Sequence, residues 1–158
     1  WLILNVGQNK NGMPRIENEE KVTAIFGAWP SFHDAEVLAL TYERRPRGFD
    51  VTTVIHVFEL TREVDERGHY RCVKHTLVTL RCEDAADVQL EDFNGQNVLS
   101  SLSITENQSM SGRPFHITLC GCFGLEGALR CQRVVVVDAA SWVPKDSVYA
   151  EKPSQALV

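Results

Sequence analysis

The apolar positions change period once along the chain. In NEEKVTAIFG, residues 18 to 27, Val22, Ile25 and Phe26 fall on one face at helical spacing. Asn18 stands where an N-cap is expected, Glu19 and Glu20 suit the positive end of a helix dipole, and Gly27 suits the left-handed position that ends a helix. The pattern predicts one short helix over 18 to 26, held by docking its apolar face, because so short a helix is unstable alone. Pro30 prevents its continuation.

Beyond Pro30 the period becomes two. AEVLALTYE (35 to 43), FDVTTVIHVFEL (49 to 60) and YRCVKHTLVTLRC (70 to 82) alternate and are rich in β-branched and aromatic residues, which predicts strands. DERG at 65 to 68 supplies turn residues between the last two, making them an antiparallel hairpin. Shorter strands are expected at 87 to 93, 99 to 106, 115 to 122 and 128 to 139, with NQSMSGRP (107 to 114) as a polar loop. Seven or so strands and one early helix predict a mainly β (α+β) fold: a two-layer antiparallel sheet, a β-sandwich, or a partly closed barrel with one short N-terminal helix. The expected domain organisation is a single β-rich domain over 1 to 143 and a flexible C-terminal tail, 144 to 158, punctuated by Pro144 and Pro153.

Composition narrows the class of function more than it names one. The 158 residues are 44% hydrophobic and 23% charged, which is ordinary for a globular protein with one core. WLILNV at the start lacks the basic flank and cleavage site of a signal peptide, and no apolar run reaches the roughly 20 residues of a membrane helix, so no membrane partner is expected. A net charge of −5 argues against nucleic acid as the partner, since phosphate binding needs clustered Lys and Arg. ERRPR at 43 to 47 is a local exception and reads first as a solvated loop. Five cysteines, an odd number without paired C-x-x-C spacing, are expected to be mainly reduced structural thiols in a cytoplasmic protein.

Four stretches carry candidate chemistry. WPSFHDAEV, 29 to 37, gathers Trp29, Phe32, His33, Asp34 and Glu36 behind the helix. His33 with Asp34 or Glu36 could serve a hydrolase as metal ligands or as an acid and base. The metal ligand set would, however, need further His and Asp residues on surrounding helices, and a direct His33–Asp34 pair requires a bend. The plainer reading is a turn closed by Ser31 or Asp34, with Trp29 and Phe32 plugging the end of the core and the polar groups displayed as a binding surface. In the hairpin, His56 should face Leu77 and Phe58 should face His75, which puts both imidazoles on one apolar face as hydrogen-bonded core histidines rather than metal ligands. DFNGQNVLSSL (92 to 102) has an amide-rich turn of Asn94, Gln96 and Asn97, which either satisfies buried backbone groups or faces a partner. CFGLEGALRC (122 to 131) reads as a tight turn into the following strand, with only a weak case for phosphate binding.

Taken in order with the VIHVFEL strand, the motifs WPSFHDAEV, FNGQNVL and FGLEGALRC resemble the immunity protein 50 family of bacterial polymorphic toxin systems, over about residues 16 to 139. The resemblance implies a small cytoplasmic protein that is not an enzyme, uses no cofactor or metal, and neutralises a cognate toxin domain by binding and occluding it. It marks Trp29, His33, Asp34, Glu36, Asn94, Gln96 and Asn97 as the partner-facing candidates.

Overall fold

Between residues 14 and 143, which the computed structural model describes, each alternating segment becomes a strand. After α1 (Glu20–Phe26) come β1 (Glu36–Arg44), β2 (Phe49–Val64), β3 (Tyr70–Glu83), β4 (Ala86–Glu91), β5 (Val98–Glu106), β6 (Phe115–Phe123), β7 (Glu126–Cys131) and β8 (Arg133–Ser141). They form one antiparallel sheet in the order β4-β7-β6-β5-β1-β2-β3-β8. The sheet is not closed, so β4 and β8 are its edges. The predicted mainly β class holds. The tail from 144 onward and the segment before 14 lie outside the described residues.

The segment expected as a single strand over 128 to 139 is two strands broken at Gln132, and this break shapes the molecule. β3 runs into β4 through only Asp84 and Ala85, and β7 runs into β8 through only Gln132. Each pair is in effect one long strand bent at a corner, and the two long strands stay paired on both sides of it, Glu83 with Arg133 and Ala86 with Arg130. The backbone N–H of Gln132 donates to the Glu83 carbonyl at 2.9 Å, inside the corner. The two ends of the sheet are thus joined by covalent corners, and the sheet folds over its own apolar face. Period-two patterning cannot reveal such a corner, because alternation continues through it.

The corner is fixed by a buried carboxylate. Asp50, 6% exposed, accepts from Arg45 Nε at 2.7 Å and from the Asp84 backbone N–H at 3.1 Å, while Arg113 donates to the Asp84 carboxylate at 2.8 Å. Arg45 of the ERRPR loop is therefore engaged in the fold. Inward residues of both halves, among them Val51, Ile55 and Val57 of β2, Val78 and Leu80 of β3, Leu99 of β5 and Ile117 of β6, fill one core. Full burial of each contributes roughly 1.5–3 kcal/mol.

The helix begins at Glu20, later than Asn18 suggests. Asn18 takes a left-handed backbone (φ 59) and turns its side chain to the Val136 carbonyl at 3.4 Å, so it does not cap. Gly27 does end the helix as expected, at φ 84 with its N–H on Thr23 O. Val22 is fully buried, and Glu17 pairs in parallel with Val135, which covers the start of the open β8 edge. Among the described residues no helix is long and apolar enough to cross a membrane.

Cys82 and Cys131, on either side of the corner, are buried free thiols, whereas the free thiols of Cys120 and Cys122 are exposed. The hydrogen bond to Cys82 and then burial push the Cys131 thiol up. Native protein should therefore react at once with a thiol reagent at Cys120 and Cys122, and at Cys82 and Cys131 only as it unfolds. A double variant Cys120→Ser/Cys122→Ser that keeps the same fast phase would contradict this placement.

Candidate functional site

The bend after Pro30 is built from two residues in the left-handed region, Phe32 (φ 58) and Asp34 (φ 61). They fold the chain so that adjacent side chains can meet: His33 Nδ1 lies 3.0 Å from Asp34 Oδ2, with both side chains exposed. This is the bend that a direct pair requires. The Ser31 hydroxyl accepts from the His33 backbone N–H at 3.3 Å, closing the turn. Phe32 is 1% exposed and packs at 5.5 Å ring to ring against the half-buried Trp29, so the two aromatics plug the core as predicted.

The bend is sewn to β5 and β1. Asp34 N–H donates to Leu99 O at 2.9 Å, Leu99 N–H to Ala35 O at 2.8 Å, and Val37 N–H to Asn97 O at 2.8 Å. Glu36 sits on the seam, opposite Val98 on one side and His56 on the other. Of the three polar groups once grouped as a catalytic set, His33 and Asp34 meet, while Glu36 is placed across the sheet against His56.

Asn97 is 3% exposed and uses both ends of its amide. Its Oδ1 accepts from Asn94 N–H at 2.8 Å and Leu125 N–H at 3.1 Å, and its Nδ2 donates to Asn94 O at 2.7 Å and Val37 O at 3.3 Å. The three motifs WPSFHDAEV, FNGQNVL and FGLEGALRC therefore meet at one side chain, which holds the site together from within. Asn94 closes the turn by accepting from Gln96 N–H at 2.9 Å, and Gln96 is exposed at its tip. Gly124 completes the node: at φ 69, a Cβ there would collide with the Gln96 carbonyl and crowd Asn97 Oδ1.

Beside the bend runs a groove between residues 26 to 34 and the outer part of the β2–β3 hairpin. One basin of about 430 Å³ is lined by Trp29, His33 and Asp34 with Phe58 and Leu60. A second, of about 970 Å³, shares Asp34, Phe58 and Leu60 and continues along Tyr70, Val73 and His75. Leu60 and Tyr70 are 54% and 58% exposed. These groove residues were missed in the sequence as site residues. The signal was the unusual length of the hairpin, whose apolar alternation runs on to Leu60, Val64, Tyr70 and Val73 after the sheet's other strands have ended.

The hairpin register is the expected one as far as Val57, with His56 opposite Leu77, but a bulge after Val57 shifts it, so Glu59 pairs with Val73 and Phe58 leaves the pairing expected with His75. His56 Nε2 lies 2.9 Å from His75 Nδ1, the rings stack at 5.2 Å, and Trp142 abuts His56 edge-on at 4.9 Å. Burial, helped by the neighbouring His75, lowers His56 from its ordinary 6.5 to about 4, and burial also lowers His75. Both are neutral at pH 7. Among the described residues no group of three or more His, Cys, Asp or Glu is arranged to hold a metal ion.

The family model for immunity protein 50 matches residues 18–141. The chain belongs to the immunity protein 50 family. The match takes in α1, all eight strands and all three motifs, close to the extent that the motifs themselves suggested. Membership implies a protein of toxin systems that binds a protein toxin, and suggests a role other than catalysis. No curated protein and no solved structure matches the chain.

Two outcomes follow from this geometry. Asn97→Ala leaves Asn94 N–H, Leu125 N–H and Val37 O without their partner, and should cost about 2–4 kcal/mol, read as a lower denaturant midpoint with unchanged slope. A loss below about 0.5 kcal/mol would mean the node is not structural. For the histidines, the unfolded chain takes up protons below pH 6.5 that folded His56 refuses down to about pH 4. Stability should therefore fall as pH drops through this window, by up to about 3 kcal/mol for His56. Denaturant midpoints between pH 7 and 5 should decline less in His56→Gln; equal slopes would refute the assignment.

Proposed function

We propose that this protein is a stoichiometric binder that neutralises a cognate polymorphic toxin domain by occluding it, acting in the bacterial cytoplasm. The observation that carries the reading is the groove beside the bend, an apolar trough overlooked by the exposed His33–Asp34 pair, in a chain of an immunity family. Grooves with apolar walls and a few fixed polar groups are suited to hold a protruding partner element. Trp29 forms the wall, His33 and Asp34 supply the polar contacts, and Glu36, Asn94 and Gln96 extend the surface beyond the bend. Asn97 acts from beneath by holding the turn.

The hydrolase reading of His33, Asp34 and Glu36 has one point in its favour, the 3.0 Å pair that a carboxylate-oriented imidazole would use. Against it stand the exposure of both groups and the placement of Glu36 against His56.

The test uses a candidate toxin domain, to be sought in the reading frame adjacent to the gene. His33→Ala/Asp34→Ala should weaken binding about 30-fold or more, as loss of a hot spot of about 2 kcal/mol does. The melting temperature should fall by no more than the strain of Ala at the left-handed Asp34 position, because both side chains are otherwise exposed. Unchanged affinity would remove the groove from the interface. Multiple turnover on any substrate, lost in the same variant, would overturn the binder reading itself.

A further inference from the structure

The Asn97 node brings to one end of the molecule two phenylalanines that the core does not use. Phe123 is 64% exposed and Phe93 46% exposed. Phe123 pairs with Val98 and Val98 with Glu36, so β6, β5 and β1 set these three side by side on the solvent face of the sheet. Phe93 lies in the turn that Asn97 ties to Leu125, two residues beyond Phe123. Exposed aromatics on a braced scaffold are the residue type that anchors protein interfaces.

The charges around them say what the partner carries. The segments 29 to 37, 91 to 99 and 120 to 127 contain no Lys or Arg. Glu91 and Glu126 are directly opposite each other on β4 and β7, both exposed. Like charges in that position repel and destabilise the strand pair. Among the described residues neither they nor Glu36 nor Asp92 forms an ion pair, although most of the molecule's arginines do. Among the described residues, carboxylates without an ion pair therefore lie along the same segments that carry the two exposed phenylalanines. Guanidinium groups satisfy both, by pairing with carboxylates and by stacking on the aromatic faces.

We propose that the surface centred on Phe93 and Phe123 docks an arginine- and lysine-rich face of the toxin domain, with Glu36, Glu91, Asp92 and Glu126 as its countercharges. The inference rests on the binder reading and deepens it: the groove beside His33 holds one part of the partner, and this adjoining surface steers and seats a cationic part. Charge complementarity of this kind acts chiefly on the association rate.

A nona-arginine peptide serves as a probe independent of the toxin. Titrated at low salt into the isotopically labelled full chain, it should shift backbone amide resonances mainly within 91 to 97 and 122 to 127, and Glu126→Lys should weaken this binding several-fold. Shifts centred on other acidic stretches, such as 17 to 20 or 63 to 66, would overturn the proposal. With the toxin domain, Glu126→Lys should slow association several-fold while leaving the melting temperature equal or higher, because it sets opposite charges across the β4–β7 pair, and Phe123→Ala should hasten dissociation. A merely structural role would lower the melting temperature instead. Toxin binding that is intact in all these variants, yet lost in His33→Ala/Asp34→Ala, would sink this surface and leave the binder reading standing. A wild-type chain that does not bind the toxin domain would remove both.

Discussion

One buried amide completes a strand ladder that is only three backbone hydrogen bonds long. β1 and β5 are neighbours in the sheet order but share only the Glu36–Val98 pair. At this seam the backbone would otherwise leave donors and acceptors of the turn at 92 to 97 and of the β6–β7 turn buried without partners. The Asn97 side chain has two donor hydrogens and two acceptor lone pairs, and all four are used by groups from three separate segments. Satisfied, each bond contributes a net of about 1 kcal/mol; left open, each buried group costs about 1–3 kcal/mol. That asymmetry favours Asn at this position: Asp lacks the donors, Leu lacks everything, and Gln is a methylene too long for a closed site.

The node is also what makes an exposed surface rigid. The bend at 29 to 36 and the two turns have little regular structure of their own, yet their mutual geometry is fixed because they share a buried anchor and the Phe32 plug. Preorganised loops lose less entropy on binding than mobile ones. The two sides of this end differ in character: the groove toward the hairpin is apolar with one polar pair, and the surface toward β4 is aromatic and acidic. A partner spanning both would meet Asp34 and Glu36 at the divide.

What was legible in the sequence was whatever depends on local period. The hairpin of β2 and β3, its register at His56 and Leu77, and the docking face of the helix all follow from alternation and spacing. The corner at Gln132 was not legible, because a strand that bends keeps its alternation. Nor was the failure of Asn18 as a cap, since its carboxamide has a competing acceptor on Val136, 118 residues away in the chain. The candidate site was legible as motifs but not as a structure. Asn94, Gln96 and Asn97 read as equivalent amides, and only the long-range bonds to Val37 and Leu125 separate the buried one from the two exposed ones. The acidic end of the molecule, whose segments carry no Lys or Arg, was likewise hidden, because its carboxylates come from three distant stretches.

Phe32 shows how the fold sets the chemistry of its most polar segment. A bulky residue at φ 58 is uncommon and costs on the order of 1–2 kcal/mol. Full burial of its ring contributes roughly 2–3 kcal/mol, enough to offset that cost. In an ordinary extended conformation the ring could still be buried, but His33 and Asp34 would then point to opposite sides of the chain. The left-handed turn instead places both on the solvent side, within contact of each other and beside the groove. The left-handed turn thus sets the two polar side chains together on the surface, and burial of the phenylalanine ring beneath them offsets what the turn costs.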